Sequence, residues 1–213
     1  MTLAKFYQIV DNADWLERFL PLGLKLVQLR IKEQPSKFVR EQIMASKALC
    51  DEFDCQLVVN DYWQLAIDAG CDYIHLGQED LAAADLLTIR KHNLKLGLST
   101  HDSAELQTAL DAKPDYIALG PVYHTILKAM KWKPQGVAKV AKWKQQLGDV
   151  PLVAIGGLNV ERAPAVYQAG ADSICVVTDV LLNDNPEARL KQWLDPLLAE
   201  EFNTDVNKEL SES

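Results

Sequence analysis

The sequence lacks most of the signatures by which whole classes of protein are recognised. Nowhere do 18 apolar residues run together, and the start MTLAKFYQIV has no basic segment followed by a long apolar stretch, so neither a membrane span nor export is expected. A basic excess is missing too. A net charge of -8 sets the surface against polynucleotides and anionic lipid, so no nucleic-acid or membrane partner is expected. A local cluster of cations can still hold a small anion against that charge.

Cysteine is scarce: Cys50, Cys55, Cys71 and Cys175 form no CxxC pair and no zinc-site spacing, and the chain is too long to need disulfide staples. They read as reduced thiols of a cytoplasmic protein. There is no GxSxG elbow, no GxxxxGK[ST], no HExxH and no GxGxxG opening a helix, which removes support from triad hydrolysis and from hydride transfer with a dinucleotide.

What the chain does have is 213 residues, 48% of them hydrophobic, without a low-complexity linker, which suits one domain with a sizeable core. Short apolar runs give eight expected strands, at 6–10, 25–30, 56–60, 73–76, 94–98, 115–119, 151–155 and 173–177. Between them, helical spacing with start and stop signals marks 14–20, 36–53, 62–69, 81–92, 103–110, 136–147, 160–169 and 186–198. Strands buried on both faces read as near-continuous apolar runs, so the alternation predicts an α/β fold, a single-domain (β/α)8 TIM barrel over residues 1–200. The last segment, 201–213, is polar, acidic and aperiodic, and reads as a tail.

Seven of the runs end in polar or glycine clusters, where a barrel gathers its functional groups. Gln28, Arg30 and Lys32 alternate, so a continuing strand points all three toward one mouth, suited to a phosphorylated ligand with a hydrogen-bonding ring; alternatively the two cations are solvated at a strand end. Asn60-Asp61 and Glu79-Asp80 follow neighbouring strands. Asp61 and Asp80 are the pair to hold a hard cation such as Mg²⁺, which takes one or two carboxylates with phosphate and water, or they cap the helices that follow. Gly156-Gly157 and Val177-Thr178 follow the last two strands, where backbone N–H groups can bind a phosphate. Ser99 and Thr100 end the fifth strand, and His101-Asp102 read as a turn and cap, with His101 as a base the less favoured role. Residues 120–135 form a long loop carrying Lys128, which either closes over an anion or is exposed.

These segments together resemble the thiamine phosphate synthase family over nearly the whole chain: YQIVD (7–11), VQLRIK (27–32), VVND (58–61), DYIHLGQEDL (72–81), LGLSTH (96–101), DYIALGPVYHTILK (115–128), AIGG (154–157) and GADSICVVTD (170–179). The resemblance implies a barrel that joins a pyrimidine methyl diphosphate to a thiazole phosphate with release of pyrophosphate. It places Gln28, Leu29, Arg30, Ile31, Lys32, Asn60, Ser99 and Lys128 around the pyrimidine diphosphate, with Arg30, Lys32, Ser99 and Lys128 in catalytic roles. It gives Asp61 and Asp80 to Mg²⁺, and Thr125, Ile126, Leu127, Gly157, Val177 and Thr178 to the thiazole phosphate. One departure stands out. The family's Pro-Thr-x-Thr-Lys appears here as His124-Thr125-Ile126-Leu127-Lys128, and the hydroxyl lost at Leu127 removes a phosphate hydrogen bond worth roughly 1.5 to 3 kcal/mol.

Three other readings fit the same barrel. A thiazole tautomerase would need neither Asp61, Asp80 nor the diphosphate cations, though His124 offers a proton carrier. A Schiff-base enzyme would need a lysine buried at a strand end, whereas Lys25 opens a strand and Lys32 and Lys128 fall in loops. A precursor sensor without activity would have no reason to keep the full set of charged residues.

Overall fold

The computed structural model describes residues 3–125 and 132–195. Ile126, Leu127, Lys128 and the segment 201–213 lie outside the described residues. Eight parallel strands close a barrel in chain order: β1 (Phe6–Val10), β2 (Leu26–Leu29), β3 (Gln56–Asn60), β4 (Tyr73–Leu76), β5 (Lys95–Thr100), β6 (Tyr116–Leu119), β7 (Leu152–Ile155) and β8 (Ser173–Val176), with β8 back beside β1. The expected (β/α)8 TIM barrel is therefore the observed fold.

The helices are α1 (Asp14–Phe19), α2 (Ser36–Glu52), α3 (Trp63–Asp68), α4 (Gln78–Ala83), α5 (Leu86–Lys91), α6 (Ser103–Asp111), α7 (Val137–Leu147), α8 (Ala163–Gln168), α9 (Thr178–Leu181) and α10 (Pro186–Leu194). The single helix expected over 81–92 is two. Its apolar spacing runs unbroken through Ala84-Asp85, but Asp85 accepts from the N–H groups of Leu87 and Thr88 and starts α5 afresh. The helix expected from 160 begins at Ala163, because Asn159 takes the Arg162 N–H into a turn of its own. The short α9 was not expected at all.

Strand alternation sends Val27, Leu29, Leu57, Val59, Ile74, Leu76, Leu96, Leu98 and their equivalents outward into the core beneath the helices. The other face fills the barrel with Tyr7, Ile9, Leu26, Val58, Tyr73, Tyr116, Ala118, Val153 and Cys175. Gly97 makes room there: a Cβ at this position would lie 2.0 Å from Tyr116 Cζ, so the bare strand lets the phenol ring cross the interior. All four cysteines are free and buried. Among the described residues, no helix is long and apolar enough to cross a membrane.

Candidate active site at the carboxyl ends of the strands

A cavity of about 170 Å³ opens where the strands end, lined by Gln28, Arg30, Lys32, Asn60, Asp61, His75, Gly77, Asp80, Ser99 and Tyr116 over an apolar floor that includes Ile9 and Val153. A larger hollow of about 400 Å³ lies at the opposite end, against the starts of β2, β3 and β4. The residues that the sequence marks as a site gather at the smaller one. In barrels of this kind the carboxyl end carries the reacting groups.

Gln28, Arg30 and Lys32 all line this mouth, as their alternation requires, while Leu29 and Ile31 between them are buried in the outer core. Any contact from those two to a ligand in the mouth must come through their backbone. Asn60 ends β3 beside His75 of β4 and is only 4% exposed. Its Nδ2 is buried without a partner, and of the four such atoms among the described residues it alone belongs to a residue of the mouth. A buried donor left unpaired costs about 1 to 3 kcal/mol, so Asn60 is a ready contact for an incoming acceptor.

The chain leaves β3 through Asp61 in a left-handed conformation (φ 63°), with its N–H bonded to His75 O at 2.9 Å. From this turn the Asp61 carboxylate meets the Lys32 ammonium and also the carboxyl of Asp80 in the first turn of α4. Neither aspartate caps a helix: Tyr62 and Gly77 hold those positions, with no side-chain cap bond. Burial, then the charge of Asp61 and the hydrogen bond between the two, push the Asp80 carboxyl above its ordinary range. Gly77 keeps the space open, since a Cβ there would come within 3.3 Å of Asp80 Oδ2. Two crowded hard-oxygen donors beside a cavity suit a cation of the Mg²⁺ type. Among the described residues no group of three or more His, Cys, Asp or Glu could hold a metal, so phosphate and water would complete its shell.

Ser99 is held from both sides. Gln78 Nε2 donates to its carbonyl at 2.6 Å, and its Oγ lies 2.8 Å from His75 Nε2. His75 was missed in the sequence, as were Tyr7 and Tyr116. A histidine inside an otherwise apolar strand, on the same face as Tyr73, was the available signal. Burial lowers the His75 pKa to about 4, so the ring is neutral at pH 7. His101 and Asp102 play the structural parts expected of them: Asp102 accepts from the Ala104 and Glu105 N–H groups, while His101 pairs with Glu105 at 2.7 Å and stacks on Trp132.

Farther round the rim, the glycine pair lets two loops touch. Tyr123 N–H bonds Gly156 O at 2.9 Å, and a Cβ on Gly157 (φ 64°) would meet His124 O at 2.3 Å. Arg162 bonds the Gly157 carbonyl and stacks over the Tyr123 ring, a brace the sequence did not suggest. Gly157 thus sits against the loop that carries Thr125, while Val177 and Thr178 follow the neighbouring strand β8 at the start of α9.

Residues 6–180 match the family model described as thiamine monophosphate synthase. The chain is 63% identical over 194 residues to the thiamine-phosphate synthase of Rhizobium etli, covering 91% of this chain and 95% of that one. It is 46% identical to that of Salmonella newport, covering 89% and 90%. Among solved structures, thiamine phosphate pyrophosphorylase from Pyrococcus furiosus superposes with a TM-score of 0.81 at 26% identity, over 92% of this chain and 96% of that one. A 3-hexulose-6-phosphate synthase, at 15% identity and TM-score 0.64, over 89% and 97%, shares the barrel alone. By the family match and these identities, the chain belongs to the thiamine monophosphate synthase family.

Proposed function

We propose that the protein is a thiamine phosphate synthase, a transferase that joins 4-amino-5-hydroxymethyl-2-methylpyrimidine diphosphate to hydroxyethylthiazole phosphate, giving thiamine phosphate and pyrophosphate. Besides the family match, one observation carries the reading: a single mouth holds two adjoining carboxylates, two cations and an unpaired amide over an apolar floor.

The carbon–oxygen bond between the pyrimidine methylene and the diphosphate breaks first, and the electron-rich aminopyrimidine carries the resulting positive charge. The lone pair of the thiazole nitrogen then closes on the methylene. No covalent enzyme nucleophile is needed. Asp61 and Asp80 would hold Mg²⁺, which when bound would neutralise the charge gathering on the departing pyrophosphate. Arg30 and Lys32 at the rim, with Lys128 from the loop, meet the same charge; each close pair is worth about 4 kcal/mol at 4 Å and an effective dielectric near 20. Gln28, Asn60 and Ser99 orient the pyrimidine. The thiazole phosphate falls to Thr125 and Gly157, to Val177 and Thr178, and to the backbone of Ile126 and Leu127, so that two substrates held together replace a bimolecular encounter. The four free thiols support a reducing, cytoplasmic setting.

Incubating the protein with both phosphorylated heterocycles, with and without Mg²⁺, and assaying thiamine phosphate and pyrophosphate tests this directly. Equal amounts of the two products, dependent on Mg²⁺, are expected; neither product under any condition would refute the activity. Asp61→Ala and Asp80→Ala should each cut turnover and Mg²⁺ dependence together. Full Mg²⁺-dependent activity in both variants would remove the metal assignment.

A further inference from the structure

Five polar side chains from five strands form one hydrogen-bonded chain through the barrel interior. Gln28 Nε2 donates to Tyr7 Oη at 3.0 Å, Tyr7 Oη lies 3.1 Å from Tyr116 Oη, Tyr116 Oη lies 2.7 Å from His75 Nδ1, and His75 Nε2 lies 2.8 Å from Ser99 Oγ. Tyr7, Gln28, His75 and Tyr116 are all buried, whereas Ser99 is partly open to the mouth.

The protons can be placed in two ways. If His75 carries its proton on Nδ1, it donates to Tyr116 and accepts from Ser99. Because Gln28 already offers an N–H to Tyr7, one of the two buried phenol protons then has no acceptor in the chain. If the proton is on Nε2, every link is made in one direction: Gln28 to Tyr7, Tyr7 to Tyr116, Tyr116 to Nδ1, and Nε2–H to Ser99. Apart from the second amide N–H of Gln28, the spare proton is then that of the Ser99 hydroxyl, on the least buried member of the chain. A buried unpaired donor disfavours the first arrangement by roughly tenfold or more.

We propose that Tyr7, Tyr116 and His75 are positioning residues that hold His75 in its Nε2–H form and so commit the Ser99 hydroxyl to donating, which selects a ligand presenting a hydrogen-bond acceptor, such as an unprotonated ring nitrogen, at that point. The inference rests on the pyrimidine reading of the mouth and adds the direction of the contact and the residues that set it. Its consequence is specificity. A ring with a C–H or N–H at that position would leave the Ser99 hydroxyl proton without an acceptor.

Nitrogen-15 NMR of the histidine-labelled protein reads the tautomer without turnover: His75 should show a bare Nδ1 and a protonated Nε2. In Tyr116→Phe the Nδ1 donor is gone, the signature should move toward a mixture, and KM for the pyrimidine diphosphate should rise about tenfold while KM for the thiazole phosphate stays within about twofold. His75→Gln carries an amide N–H to where Nε2–H lies and should keep KM within about threefold, while His75→Asn, which reaches only as far as Nδ1, should lose about tenfold. A wild-type Nδ1–H signature, or equal losses in the Gln and Asn variants, would overturn the proposal, and both remain readable if Tyr116→Phe fails to fold. A wild-type protein that makes no thiamine phosphate would refute the functional reading, while the NMR result would still decide the tautomer.

Discussion

His75 places a titratable ring in the barrel with no room for its charge. Its folded pKa is lowered to about 4 by burial, and the Asp61 charge only partly offsets this, against about 6.5 for a histidine in the unfolded chain. Between those values the unfolded chain binds the proton and the folded protein does not, so stability falls as pH drops from 6.5 through 4. The loss is complete below pH 4, at about 3 kcal/mol. Urea unfolding of the metal-free protein at pH 7 and pH 4 should show that slope in the wild type and a shallower one in His75→Gln. The same residue marks a limit of reading by pattern. Strand alternation places His75 on the inward face, but its partners Tyr116 and Ser99 come from β6 and β5, 41 and 24 residues away, and sequence spacing does not report which inward side chains meet. The charged members were easier to find, because Arg30, Lys32, Asp61 and Asp80 interrupt apolar runs at strand ends.

At the scale of elements, what was legible was what periodicity and capping encode. All eight strands were expected within two residues of where they stand, since each is a short apolar run with a polar stop. The boundary between α4 and α5 was hidden because Asp85 interrupts the helical spacing without changing it. Tight approaches were hidden too, since they depend on what lies opposite. Gly97 is one. Gly97→Ala would drive a methyl group into the Tyr116 ring, with Cβ 2.3 Å from Cε1 and 2.5 Å from the hydroxyl oxygen. The expected cost is about 1 to 3 kcal/mol, visible as a lowered denaturant midpoint. Because Tyr116 must move, KM for the pyrimidine diphosphate should rise in the same variant. Asp102→Ala provides the contrast: it removes the α6 cap, should cost about 1 kcal/mol, and should leave KM for the pyrimidine diphosphate unchanged.

Across the whole molecule the barrel separates its two ends. Lys25 precedes β2 at the amino end, where its ammonium donates to the carbonyls of Phe53 and Asp54 just past α2 and so closes that helix. Lys32 lies seven residues on, beyond the other end of the same strand, and faces the mouth beside Asp61. Both are exposed lysines in a chain of net charge -8, and composition cannot tell them apart; only the direction of the strand between them does. Lys25→Ala should lower stability by about 0.5 to 1 kcal/mol and leave kcat and KM unchanged, because a half-exposed cation bonded to helix carbonyls contributes little more than a cap. Lys32→Ala should do the reverse, keeping the melting temperature within about 2 °C while kcat/KM for the pyrimidine diphosphate falls on the order of 100-fold, since a cation that meets the leaving group acts on the barrier and contributes little to the fold. Thermal melts and steady-state kinetics on the two variants side by side measure that separation, and a Lys25→Ala protein with impaired turnover would show that the ends are coupled.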